Sequence, residues 1–309
     1  MPLPFILGGL ALAAAGYGVK KSFDASDTAD EINIVIKKAN DLKEEAIKKV
    51  ELVESDCKNA LMRLGEKKFH VQSYSMSSFV KEFNQLKGRE FVVKVADMQD
   101  LCEQVSNAQN LFSQLNTNGM TDESIIEKML IGYGSLGVSS FITAMMMGGE
   151  LVTAILWFFS TSKMEEKLDD AKAYCSQVEA ASKKADVMID NLRSVEKMAK
   201  LFTRQITKFD ALFFSLAQEA IATMKKHHYD TSLYNQEEKD QLCVTVSTLF
   251  SLRAFLKAPI MDKHQKLNKK AQNALNLMRD QVNALESGQE SGHYDVAMIQ
   301  FKQKDFENL

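Results

Sequence analysis

Residues 32–64 read INIVIKKANDLKEEAIKKVELVESDCKNALMRL, and the fold turns on the spacing of their apolar letters. These fall at Ile32, Val35, Ala39, Leu42, Ala46, Val50, Val53, Cys57, Ala60 and Leu64, in steps of three and four. Such steps return to one side of an α-helix. The stretch therefore predicts one long helix with a narrow apolar seam and Lys and Glu over the rest of its surface. Gly65 is the first candidate for its interruption. Two further helices are expected at about 69–87 and 91–116, parted by Gly88 and closed by the loop-forming NTNG at 116–119. FVVKV at 91–95 is a short strand-like fragment in a chain otherwise nearly free of β-branched alternation.

The same signal returns downstream. Met164, Leu168, Ala171, Cys175, Val178, Ser182, Ala185, Ile189 and Leu192 again step by four and three. Helices are also expected at about 203–228, 236–257 and 263–286. Asn235 with Glu238 forms an N-x-x-E start, and Pro259 stops the helix before it. The residues from 287 to 309 read as a polar, loose tail. The simplest packing brings the two seamed helices into one antiparallel bundle.

Composition supports the helical reading. The 309 residues contain three prolines, Pro2, Pro4 and Pro259, so residues 5–258 have none. Charge is nearly balanced, 38 basic against 41 acidic residues, which argues against a general nucleic-acid binder. Cys57, Cys102, Cys175 and Cys243 are far apart and form no C-x-x-C. They read as reduced thiols in a helical core, without a zinc site or disulfide framework.

Two segments break the amphipathic pattern. Residues 1–21, MPLPFILGGLALAAAGYGVKK, are apolar up to Lys20-Lys21. A membrane anchor would set Lys20 and Lys21 at the cytoplasmic interface, with Phe5, Ile6, Leu7 and Leu10 in lipid. A signal peptide would use the AAA at 13–15 but lacks a basic start. A buried helix would use the small-residue spacing of Gly8, Gly9, Ala13 and Gly16 for close approach.

Residues 129–162 hold one ionised side chain, Glu150. They are apolar on all sides, as expected of a deeply buried or lipid-exposed helix. The preferred reading is an apolar helical hairpin turning at Gly148, Gly149 and Glu150. Its arms would be about 22 Å each, short for a full bilayer. Its membrane-contacting residues would be Leu130, Ile131, Phe141, Ile142, Met145 and Met146 on one arm. Leu151, Ile155, Leu156, Trp157, Phe158 and Phe159 would serve on the other, the last three at the interface.

GYGSLG at 132–137 fits G-x-G-x-x-G, but it follows a helical start, TDESIIEKML, where a nucleotide fingerprint needs a strand. His227-His228 point about a hundred degrees apart on a helix and suit its C-terminus better than a shared metal. No catalytic grouping, metal set or cofactor motif is legible, so the chain reads as non-enzymatic, without cofactor.

The order of MPLPFILGGLALAAAGYGVKK, LMRLGEKKFHVQSYSMSSFVKEFNQLK, the apolar stretch, and YNQEEKDQLCVTVSTLFSLRAFLKAPIMDK resembles a bacterial family of uncharacterised helical proteins, often loosely labelled chemotaxis proteins. The present hairpin has fewer glycines and more methionines. The layout also resembles α-helical pore-forming toxins and apolipoprotein-L-like proteins, an analogy of architecture. The family resemblance implies a bacterial protein; Lys20 and Lys21 point to the cytoplasmic side of the inner membrane, the alternative being a soluble cytoplasmic protein.

The expectation is therefore an all-α, elongated antiparallel bundle or coiled coil. An apolar N-terminal segment (1–21) leads into a first bundle part (22–128). The membrane-directed hairpin (129–162), a second bundle part (163–286) and a polar tail (287–309) follow. The expected action is insertion of the hairpin to permeabilise or remodel a bilayer, as an oligomer associated through the coiled-coil seams. One alternative is a membrane-anchored scaffold or adaptor for an unidentified protein. Another is a two-span chemoreceptor-like sensor with 22–128 and 163–309 on opposite sides of the membrane.

Overall fold

The computed structural model describes residues 25–89, 92, 95–118, 168–260 and 268–308. The protein is all-α. Helix α1 (Ala25–His70) continues through a π-helical stretch (Val71–Met76) into α2 (Ser77–Phe83). Helix α3 (Val95–Asn118) follows, then α4 (Leu168–Lys226), α5 (Gln236–Lys257), α6 (Lys269–Ser291) and α7 (Val296–Glu307). At 1.5 Å per residue the 59 residues of α4 run about 90 Å, and the α1–α2 run is as long.

Both seams are where the spacing puts them. Ala39, Ala46, Val50, Val53, Cys57, Ala60 and Leu64 are buried on α1; Ala171, Val178, Ala185, Ile189 and Leu192 are buried on α4. Gly65 does not interrupt α1 but lies buried within it. Favourable packing on both sides outweighs the roughly 1 kcal/mol that glycine costs inside a helix.

The direction of packing differs from the expectation. Lys38 Nζ meets Glu179 Oε1 at 3.2 Å, and Tyr174 Oη donates to Asn40 Oδ1 at 3.0 Å. Further along, Lys67 Nζ meets Asp210 Oδ2 at 2.8 Å, and the rings of Phe79 and Phe213 lie 5.9 Å apart. From the first two contacts to the last two, partner numbers rise together, so α1–α2 and α4 are parallel, not antiparallel. A seam of steps of three and four reads alike in either direction, and nothing in its period specifies polarity. The antiparallel arrangement holds instead between α4 and α5. There Gln241 Nε2 donates to Glu219 Oε2 at 2.9 Å, and Phe255 stacks on Phe202 at 4.6 Å.

Helix α3 doubles back on α2 and the π-helical stretch, with Asn84 Nδ2 to Cys102 Sγ at 3.2 Å and Gln109 bonded to Ser77. Helices α6 and α7 close over α4 and α5: Lys208 pairs with Glu286 at 2.8 Å, and Phe306 packs edge-on to Phe255 at 6.3 Å. The expected loose tail from 287 is thus corrected. Helix α6 runs to Ser291, Gly292 ends it with φ +70°, and Asp295 caps α7 by accepting from the Met298 N–H at 2.9 Å. Ile299 and Phe306 anchor α7 in the core. These two residues, seven apart, lie on one side of the short helix and bury it.

Candidate functional site

Parallel packing has a direct geometric consequence. The first residues of α1 and α4 lie at the same end of the helix pair, on the side of the Lys38–Glu179 and Asn40–Tyr174 contacts. In the sequence the apolar segment 1–21 ends just before Ala25, and the apolar segment 129–162 ends just before Leu168. Both therefore join the folded helices at one end. Those segments themselves lie outside the described residues. So do Phe5, Ile6, Leu7, Leu10, Lys20 and Lys21, and Leu130, Ile131, Phe141, Ile142, Met145 and Met146. The same holds for Gly148, Gly149, Glu150, Leu151, Ile155, Leu156, Trp157, Phe158 and Phe159, and for GYGSLG. Among the described residues no helix is long and apolar enough to cross a membrane, and no group of three or more His, Cys, Asp or Glu side chains could hold a metal ion.

At the opposite end the two halves of the chain are joined by backbone. The Lys87 N–H donates to Tyr229 O at 2.8 Å, and the Thr231 N–H donates to Lys87 O at 3.3 Å. Thr231 Oγ1 donates to the carbonyls of Lys87 and Gly88, at 3.0 Å each. Gly88 has φ +73°, and a Cβ there would sit 2.5 Å from Thr231 Oγ1, so both the conformation and the approach call for glycine. His228 and Tyr229 hold φ of 50° and 61°, left-handed values costly for non-glycine residues. Tyr229 Oη reaches Glu82 Oε2 at 2.5 Å. That bond holds the Glu82 carboxyl below its usual range and the phenol above its own.

The neighbouring histidines do not converge. Helix α4 ends at Lys226, and His227 Nε2 lies 2.9 Å from Glu238 Oε1. Glu238 also accepts from Lys226 Nζ at 2.8 Å and completes the capping box with Asn235. The Lys226 ammonium first, then His227 and the Asn235 N–H, hold its carboxyl down to about 2. The helix-terminus reading of this pair agrees with the geometry.

The core contains one feature the pattern analysis missed. Lys68 is fully buried, and its Nζ donates to the carbonyl of Leu256 on α5 at 2.7 Å. Burial alone pulls its amine down to about 7. A signal was present: Lys68 stands four residues after Leu64, on the apolar seam. In the same core, Gln281 of α6 is fully buried with neither amide atom bonded to a protein partner. All four cysteines are free, and burial pushes the Cys57 thiol up to about 12, leaving it an unreactive core group.

Comparison with known proteins adds no relative: no protein family, curated protein or solved structure matches the chain.

Proposed function

We propose that the protein is a non-enzymatic, membrane-directed helical protein that delivers its apolar segments to a bilayer from one end of a parallel helix pair. The observation that carries this reading is the shared end of α1 and α4, where segments 1–21 and 129–162 both enter the fold. A pair of helices with its apolar appendages at opposite ends would have to engage two surfaces or bury one appendage. With both at one end, a single bilayer can take both. In the sequence Lys20 and Lys21 follow one segment and Lys163 follows the other, the position expected of cations that meet lipid headgroups. Each large apolar side chain moved from water contributes roughly 1.5–3 kcal/mol, so a hairpin of this composition supplies ample driving force.

The receptor topology fits this packing poorly. Residues of 22–128 and 163–309 share one core through Phe79, Phe213, Lys67 and Asp210, which a bilayer between them would separate. A scaffold role has one supporting observation: Ile34, Leu52 and Val187 stand more than three-fifths exposed along the α1–α4 pair, a surface on which a partner helix could pack.

The test is flotation of the purified protein with liposomes, followed by a high-pH carbonate wash, beside a variant lacking residues 129–162. Wild type is expected to float and resist the wash, and the variant to stay soluble and remain at the bottom. Precipitation of the variant together with failure of wild type to float would make the stretch core and overturn the membrane reading.

A further inference from the structure

We propose that Lys68 is a proton-operated fastener between the two halves of the chain: its uncharged amine holds the last turn of α5 against α1, and proton uptake by that amine accompanies release of the turn. The inference is independent of any membrane role.

The geometry begins with the end of α5. Its final carbonyls have no intrahelical donor, the chain turns extended at Ala258 (ψ 124°), and Pro259 has no N–H to offer. Leu256 O is one of these orphans, and it lies in the core. Lys68 meets it from α1, across 188 positions of sequence, at 2.7 Å. An ammonium carries three N–H donors, all of which need acceptors when water is excluded. Among the described residues this site offers Lys68 one acceptor, Leu256 O, so an uncharged amine leaves one N–H over, whereas an ammonium leaves two together with its charge.

The surrounding charges do not compensate. On its own helix, Lys67 turns to Asp210 of α4. Arg204 and Lys208 of α4 are exposed, and Lys208 pairs with Glu286 of α6. On α5, Arg253 reaches Asp100 of α3, and Lys257 is exposed. Arg279 and Asp280 of α6, and Lys302, Lys304 and Asp305 of α7, are exposed or half-exposed. Among the described residues, Glu54 and Asp210 are the other buried charged side chains, and Glu54 lies almost four turns back along α1. Desolvation is accordingly the sole influence resolved on the Lys68 amine.

Linkage gives the sign. The amine binds its proton more weakly when the turn is docked than when it is released into water, where the ordinary lysine value applies. Release therefore takes up a proton, docking strengthens as pH rises from about 7 towards 10.5, and the dependence flattens below about 7.

The experiment is hydrogen exchange of the α5 amides at residues 252–257 in the full chain, expressed as protection factors corrected for intrinsic rates. Wild-type protection is expected to fall about tenfold between pH 8.5 and pH 7. Lys68→Met should abolish that slope. Lys68→Gln, which keeps a donor but does not titrate, should also show none, and it serves if the Met variant does not fold. A variant retaining the wild-type slope, or wild-type amides showing no slope, would overturn the proposal.

Discussion

Near Ala39 and Ala171 the α1–α4 pair closes on small side chains; about forty residues further along, α2, which continues α1, closes on α4 through the rings of Phe79, Phe83, Phe209 and Phe213. The difference follows from how many helices meet. Among the described residues, the first stretch is a two-helix seam, and alanine lets two backbones approach without a third layer. The second is covered by α3, α5, α6 and α7, so it can bury aromatic rings of 150–250 Å² each. Cohesion is therefore concentrated at one end, and the weaker end is the one at which α1 and α4 begin. Local opening free energy tracks buried apolar contact, so that is where the helices part first.

The comparison can be tested in order of expected effect. Phe213→Ala empties a fully buried site and should cost about 3–5 kcal/mol in denaturant unfolding, whereas Ile189→Val in the thin seam should cost about 1 kcal/mol. Equal losses would mean that the two ends are equally cohesive. Gly88→Ala should cost about 2 kcal/mol, because it combines a left-handed backbone with a Cβ driven against Thr231 Oγ1. The readout is a shift of the unfolding midpoint, and no shift would show that the joint between the chain halves yields easily. Asn235→Ala removes one half of a capping box and should cost about 1 kcal/mol, with exchange increased at the start of α5 and unchanged in the seam near Ala39.

Much of this was legible from residue spacing. The seams from Ile32 to Leu64 and from Ala171 to Leu192, the Asn235 cap, the stop at Pro259 and the helix end beside His227 all follow from local rules acting within one or two turns. The tail was misread because its two anchors, Ile299 and Phe306, sit in a short segment and gain burial from α5 and α6, which lie outside it. Lys68 was missed for a related reason: lysine at a seam position ordinarily extends its amine to water, and here α5 closes over it.

By itself, then, the sequence determined the long helices, the buried side of the two seamed ones and where several of them begin and end, because these depend on contacts within a few residues. The tertiary structure decided that α1 and α4 run parallel, that their first residues share one end, and that a lysine caps a helix 188 positions away. A period of three and four is the same read forwards or backwards, and a long-range hydrogen bond leaves no local mark, so only packing could settle either.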